Sequence, residues 1–207
     1  MTPEEAVPDE LAQADRVLVL LHGRWYKPHT MHELAERLDL PRTAWVTPAA
    51  PDRTWYPERF MDPRAANEPK LSEAIEQVHE TLDDLVAQGV EPERLVLGGF
   101  SQGSCVACQA LAERPRPLAA LVSLNGGLIG EDEEEIVKPP AGALEGMPVL
   151  LTGTEEDDWI PVPRVKRTAE VMEAAGARVE VEIHPHAKHE IHDWEVEAFR
   201  RLMLELS

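Results

Sequence analysis

The segment GGFSQGS, residues 98–104, restricts the possible folds of this chain more than any other feature of the sequence. It follows the apolar run RLVL and precedes small and apolar residues, so it predicts a tight turn between a buried strand and a helix. Glycines at positions 99 and 103 leave room for a strained backbone at Ser101. Such a turn lifts the serine hydroxyl clear of the sheet and points the N-terminus of the helix at it.

The rest of the chain alternates apolar, β-branched runs with helical patterns. This alternation predicts an α/β fold with a mostly parallel central sheet and helices on both of its faces. We expect strands at 16–22, 44–48, 94–100, 118–124, 148–153 and 179–184, and helices at 31–38, 71–88, 102–113, 165–175 and 193–206. Gly89 and Gly176 follow two of these helices as C-terminal caps should. Residues 48–69 and 126–148 fit neither pattern and are expected to form long loops at one end of the sheet.

The length of 207 residues suits one domain, which we expect to span residues 16–207. Residues 1–15 are acidic and are expected to be a loosely held segment. They lack the basic start and apolar centre of a secretory signal, and no apolar run approaches the roughly 18 residues that cross a bilayer. We therefore expect a cytoplasmic protein that does not insert into membranes.

The net charge and the cysteines indicate which partners and ligands the chain does not bind. The net charge of -19 argues against nucleic acid, because binding to a phosphate backbone relies on a basic surface. Cys105 and Cys108 are expected to be free thiols, and no further ligand stands nearby at the spacing of a zinc site. We expect neither a metal nor a cofactor.

A serine hydroxyl is a weak nucleophile, so Ser101 needs a histidine base and a carboxylate that orients that base. On a turn of this kind the partners follow the serine in the order acid, then histidine. Position in the sequence leaves several candidates open for each role. The acids are Glu155, Glu156, Asp157 and Asp158, and the histidines are His184, His186, His189 and His192. His22 is expected to shape its loop, and His79 to lie on a helix surface.

Seven segments of the chain form a joint pattern. They are LLHGRW, TWYP, ANEP, GFSQGS, LNGGLIG, DDWIP and HPHAKHEI, in that order. In these motifs the chain, from residue 17 on, resembles the phospholipase/carboxylesterase family of α/β-hydrolases, which includes acyl-protein thioesterases and bacterial carboxylesterases. The resemblance implies the α/β-hydrolase fold and a cofactor-independent serine esterase that acts on small-molecule carboxylic esters of small to medium acyl groups. Thioester hydrolysis is the alternative within the enzyme class, and a non-catalytic ligand-binding protein is the alternative outside it.

The resemblance also implies roles for individual residues. The family pattern D-P-x-V/I-P places Asp157 at the triad acid, with Asp158 where proline usually stands and hence as the alternative acid. The pattern P-G-x-x-H falls on residues 185–189 and favours His189 as the base. The backbone N–H groups of Arg24 and Gln102 occupy the positions that form the oxyanion hole.

Four aromatic residues are candidates for substrate contact. Trp25 stands where the family's H-G-x-G loop has its second glycine, and its indole is expected to narrow the approach to the oxyanion hole. The other three lie in loops expected at the carboxyl ends of the strands, where ligands bind in open α/β sheets. They are Trp55, Tyr56 and Trp159.

Overall fold

The computed structural model describes residues 8–206, in which six strands form one sheet in the order β2-β1-β3-β4-β5-β6. All five pairs of neighbouring strands are parallel. The strands are β1 (Arg16–Leu21), β2 (Thr43–Val46), β3 (Leu95–Phe100), β4 (Ala120–Leu124), β5 (Pro148–Thr154) and β6 (Arg178–His184). Every expected strand is present, and the expectation of a mostly parallel sheet is confirmed.

Helices cover both faces of the sheet, as the sequence predicts. The helices are α1 (Pro8–Gln13), α2 (His29–Leu38), α3 (Arg64–Asn67), α4 (Lys70–Ala87), α5 (Gln102–Glu113), α6 (Val162–Ala174) and α7 (Asp193–Glu205). Successive residues of β1 point to opposite faces: Val17 and Val19 pack under α4, α5 and α6, while Leu18 and Leu20 pack under α2 and α7. Burial on both faces explains why the strand reads as an unbroken apolar run.

The ends of the elements follow local chemistry. α4 and α6 are followed by Gly89 and Gly176 at φ 93° and 98°, the left-handed conformation that glycine adopts without strain. α6 begins three residues earlier than expected, because Pro163 lies in its first turn, where a missing N–H costs nothing. Two short helices, α1 and α3, have no apolar period that would predict them.

The segment before β1 differs from its expectation. Leu11 and Ala14 are only 3% and 6% exposed and belong to the core under α4 and α5. The Arg94 guanidinium donates to the carbonyl oxygen of Leu11 at 2.7 Å and also to that of Ala14. The expectation of a loosely held segment is therefore wrong for residues 10–15, because buried side chains and these hydrogen bonds hold them. Residues 1–7 lie outside the described residues.

Two buried histidines have structural roles. His22 is buried, with Nδ1 2.8 Å from the carbonyl oxygen of Gly23 and Nε2 accepting the backbone N–H of Ala50 at 3.1 Å. It shapes its loop, as expected. His79 does not lie on a helix surface: it is buried between α4 and α5, with Nε2 3.2 Å from the Ala110 carbonyl oxygen. No helix within residues 8–206 has the length and apolar character needed to cross a membrane.

The burial of Leu11 leads to a test of the N-terminal packing. Leu11→Ala should lower the free energy of unfolding by about 2–4 kcal/mol, because it leaves a cavity in a packed core. Gln13→Ala, on the exposed side of the same helix, is the matched control and should change it by less than about 0.5 kcal/mol. Urea denaturation measures both. Equal effects of the two changes would show that α1 is not anchored through Leu11.

Candidate active site

The turn at Ser101 joins β3 to α5 in a strained conformation. Ser101 has φ 54° and ψ -121°, and its backbone N–H donates to the carbonyl oxygen of Leu124 at 2.9 Å. A Cβ at position 99 would lie 2.8 Å from the Leu21 carbonyl oxygen, and one at position 103 would overlap that same peptide. Both positions therefore require glycine, and the close approach that they allow holds the turn against the end of β1.

A continuous chain of hydrogen bonds leads away from the serine. The Ser101 hydroxyl lies 2.7 Å from Nε2 of His189, and Nδ1 of His189 lies 2.6 Å from Oδ2 of Asp157. With the Nδ1–H donating to Asp157, Nε2 is left free to accept the serine proton. The His189 ring packs on Phe100, with ring centroids 5.1 Å apart.

Asp157 is held as a carboxylate by its neighbours. Its side chain is fully buried. Burial alone would raise its pKa, but the hydrogen bond with His189 and two backbone N–H groups outweigh burial, so the pKa of Asp157 lies below its usual value. The backbone donors are Trp159 at 2.7 Å and Ile160 at 2.9 Å, both to Oδ1. A buried carboxylate with this many donors remains ionised at neutral pH.

The other candidate acids and histidines point elsewhere. Glu156 pairs with the exposed His186 at 2.7 Å. His184 stacks on Trp194 with centroids 3.9 Å apart, and His192 lies at the N-terminus of α7 with Nε2 2.9 Å from the Lys188 carbonyl oxygen. Of the four acids and four histidines that the sequence left open, the structure brings Asp157 and His189 to Ser101. The side chains of Glu155 and Asp158 are exposed.

Within residues 8–206, the backbone N–H groups of Gln102 and Arg24 have no acceptor. Gln102 begins α5, where the first N–H has no intrahelical partner. In the preceding loop the N–H of Trp25 donates to Arg53 at 2.8 Å and that of Tyr26 to Gly23 at 3.2 Å. The N–H of Arg24 has no acceptor within residues 8–206. Arg24 and Gln102 both line the cavity into which Ser101 opens.

This cavity has a volume of about 310 Å³ and a mixed wall of aromatic, apolar and cationic side chains. Its lining residues are Arg24, Trp25, Tyr26, Tyr56, Arg59, Phe60, Ser101, Gln102, Cys105, Trp159, Ile160 and His189. Burial raises the pKa of the Cys105 thiol to about 11, so this sulfur remains protonated at neutral pH and is no rival nucleophile. Among residues 8–206, no group of three or more His, Cys, Asp or Glu side chains is arranged to hold a metal.

Three of the four aromatic candidates line the cavity. Trp25 and Trp159 are 63% and 57% exposed and stand at its mouth, while Tyr56 is buried and forms part of its wall. The expectation for Trp55 is wrong, because its indole is buried below the loop and donates to the carbonyl oxygen of His22 at 2.8 Å. Trp25 has φ 67°, the left-handed conformation that explains why glycine suits this position.

Sequence reasoning assigned only a backbone role to Gln102, and its side chain does more. Oε1 accepts the backbone N–H of Trp55 at 2.9 Å, and Nε2 donates to the carbonyl oxygen of Tyr56 at 2.7 Å. These bonds tie the loop that carries the cavity wall to the first residue after Ser101. No sequence signal identified this link, since its partners are backbone atoms 46 and 47 residues away.

A buried acid behind the site was also missed. Glu195 on α7 accepts from Thr152 Oγ1 at 2.5 Å, from Asn125 Nδ2 at 3.0 Å and from the backbone N–H of His192 at 3.0 Å. Burial raises its pKa, although the hydrogen bond with Thr152 opposes that effect. The network ties the loop that carries His189 to β4 and β5. Its signal was a glutamate three residues after the N-cap His192, the spacing of a capping box.

Comparison with known proteins agrees with the fold. A family model described as phospholipase/carboxylesterase matches residues 3–204. A solved phospholipase/carboxylesterase from Dyadobacter fermentans superimposes with a TM-score of 0.86 at 28% identity, covering 94% of this chain and 92% of that one.

Curated relatives carry names of two kinds. An acyl-protein thioesterase 1 of Gibberella zeae is 31% identical over 129 residues, and a carboxylesterase of Arabidopsis thaliana is 24% identical over 178 residues. These matches cover 61% and 76% of this chain. They span 55% of the fungal protein and 75% of the plant protein. With its α/β-hydrolase sheet and a family match over nearly its whole length, this chain belongs to the phospholipase/carboxylesterase family of hydrolases.

Proposed function

We propose that this chain is a serine carboxylesterase that hydrolyses esters of small to medium acyl groups through an acyl-enzyme. The observation that carries the proposal is the unbroken chain of hydrogen bonds from Ser101 through His189 to Asp157, at 2.7 and 2.6 Å, beside a cavity. Nucleophile, base and orienting carboxylate in this arrangement are the parts that acyl transfer needs.

In this mechanism the Ser101 oxygen attacks the ester carbonyl carbon while Nε2 of His189 takes the hydroxyl proton. The carbonyl oxygen becomes an oxyanion, and the free N–H groups of Arg24 and Gln102 stabilise it; one such donor is worth roughly 3 kcal/mol in sites of this kind. His189 then gives its proton to the departing alcohol. Water, deprotonated by His189, attacks the acyl-enzyme and releases the acid. Asp157 orients His189 throughout and stabilises its charged form.

The size of the cavity supports small to medium substrates. Its volume of about 310 Å³ lies at the lower end of the range for small-molecule sites. Phe60 and Ile160 supply apolar wall, and Trp25 with Trp159 partly covers the mouth.

A second candidate activity is acyl thioester hydrolysis, favoured by the match to a fungal acyl-protein thioesterase. The same groups would act, with a thiol as the leaving group. p-Nitrophenyl esters and acyl-CoA thioesters, assayed with and without a serine-directed fluorophosphonate, compare the two activities. A ligand-binding protein without catalysis would hydrolyse neither substrate class and would not be labelled at Ser101.

Removing the nucleophile or the base tests the central proposal. Ser101→Ala and His189→Ala should each lower kcat by about ten-thousand-fold or more, because triad members act as a unit. Steady-state kinetics on p-nitrophenyl esters measures the effect, with circular dichroism and thermal melting as checks of the fold. Near-normal activity of purified Ser101→Ala would disprove the proposal.

A matched pair of variants tests which aspartate orients His189. Asp157→Asn should lower kcat by about a thousandfold or more, because the amide favours the wrong tautomer of His189. Asp158→Asn changes the neighbouring, exposed carboxylate and should leave kcat nearly unchanged. The same kinetic assay compares the two variants, and the reverse order would move the acid to Asp158.

Trp25 should limit acyl length. Trp25→Gly removes an exposed indole at the cavity mouth and places glycine where the backbone is left-handed, so the loop need not move. We expect kcat/KM for octanoyl esters to rise relative to acetyl esters. An unchanged acyl-length profile would show that Trp25 does not restrict the substrate.

A further inference from the structure

The wall of the cavity at Ser101 carries two positive charges and no negative ones. Arg24 and Arg59 are lining residues, whereas no aspartate or glutamate is. This contrasts with the chain as a whole, which has 39 acidic and 20 basic side chains. A cleft lined by one sign of charge concentrates ligands of the opposite sign even when the surrounding surface does not.

The Arg24 guanidinium is positioned by backbone and ring contacts. Its Nη2 donates to the carbonyl oxygen of Tyr56 at 3.0 Å and to that of Glu58, and its Cζ lies 5.8 Å from the centroid of the Tyr56 ring. These contacts fix the Arg24 guanidinium against the loop of Tyr56 and Glu58 and use one of its three nitrogens, Nη2. Nε and Nη1 have no acceptor within residues 8–206. Of the five N–H donors of an arginine, three are therefore left for a ligand.

The guanidinium of Arg59, in the loop that also carries Tyr56 and Glu58, has fewer contacts than that of Arg24. Its Nη2 lies 3.5 Å from the carbonyl oxygen of Asp158, and its Cζ lies 5.9 Å from the centroid of the Trp159 ring. The Asp62 carboxylate is near, but it accepts the backbone N–H of Arg59 at 2.9 Å rather than its guanidinium. Within the described part of the chain neither Arg24 nor Arg59 pairs with a carboxylate.

The packing contacts of Arg24 and Arg59 explain their positions but not why two unpaired positive charges line the cavity. Backbone carbonyls and aromatic rings position a guanidinium without neutralising it, so the charge of each group remains available to the cavity. The fork of an arginine matches the oxygens of a carboxylate or phosphate, and such charge-assisted hydrogen bonds are the stronger ones in proteins.

We infer that the natural substrate is an ester that carries an anionic oxygen group, which Arg24 and Arg59 bind while the ester carbonyl lies at Ser101. The inference rests on the proposed esterase function and adds the chemical class of the substrate. Arg59, on the exposed loop, is the residue that selects for charge. Arg24 adds to this selection beside the oxyanion position.

Two matched pairs of substrates test the inference and locate the anion. 3-Acetoxybenzoate and the neutral 3-acetoxybenzamide differ by the charge on the departing alcohol. The monophenyl ester of adipic acid and its neutral amide differ by the charge on the acyl group. For at least one pair, the wild-type chain should favour the anionic member by about tenfold in kcat/KM, the effect of a hydrogen bond to a charged group. No preference in either pair would overturn the inference.

Arg59→Gln is the principal variant, and Arg53→Gln is its matched control. Arg53 is exposed in the same loop region, carries the same charge and does not line the cavity. The ratio of kcat/KM for anionic over neutral substrate should fall about fivefold in Arg59→Gln and stay at the wild-type value in Arg53→Gln. An equal fall in both variants would show an effect of overall charge and would contradict the assignment.

Binding separates this inference from the proposed function. In Ser101→Ala, which cannot form the acyl-enzyme, titration calorimetry should show tighter binding of the anionic member than of the neutral member in at least one of the two pairs. If the wild-type chain hydrolysed no ester at all, the esterase proposal would fail while this preference could still be measured. Equal affinity within both pairs, or tighter binding of the neutral member in both, would overturn the anion site.

Discussion

The close contact between the turn at Ser101 and the end of β1 determines how the site is built. Because positions 99 and 103 carry no Cβ, the start of α5 reaches the backbone of Leu21 and His22. That contact places the loop after β1, with Arg24, directly beside the serine. The strained φ of Ser101 is stable because the hydrogen bond from its N–H to Leu124 and the packing on both sides of β3 hold it. The free backbone N–H groups of Arg24 and Gln102 and part of the cavity floor are positioned from this one turn.

The parallel sheet supplies the other half of the site. The loops after β5 and β6 leave from the same edge as the serine turn, so Asp157 and His189 meet there although they lie 32 residues apart. Two buried acids serve different purposes at this edge. Asp157 has donors enough to remain charged, whereas Glu195 is a buried acid with a raised pKa that anchors the histidine loop. Each carboxylate accepts three hydrogen bonds, so their number does not separate the two acids. Glu195 is more completely buried than Asp157, and burial dominates its pKa, whereas the hydrogen bonds dominate the pKa of Asp157.

The cavity at Ser101 is built from the serine turn and from separate loops. Its floor is made by the serine turn and His189, and its sides come from the loops around Arg24, Arg59 and Trp159. Gln102 links the floor to the side, because its side chain bonds to the backbone of Trp55 and Tyr56 while its own backbone N–H lies beside Ser101. Loop side chains can therefore vary while the hydrogen bonds that hold the loop remain.

The sequence by itself determined the features that depend on neighbours along the chain. Apolar periodicity predicted each of the six strands, Gly89 and Gly176 marked helix ends, and GGFSQGS predicted the serine turn. Position in the sequence left four acids and four histidines open, and the resemblance to the family favoured Asp157 and His189; the tertiary structure brings these two side chains to Ser101. The tertiary structure also placed Leu11, His79 and Trp55 in the core. It brought Arg59, which lines the cavity, next to Asp158, 99 residues later in the chain. The physical reason is that burial, pairing and charge depend on which surfaces meet when the sheet is assembled, and no local pattern records those contacts.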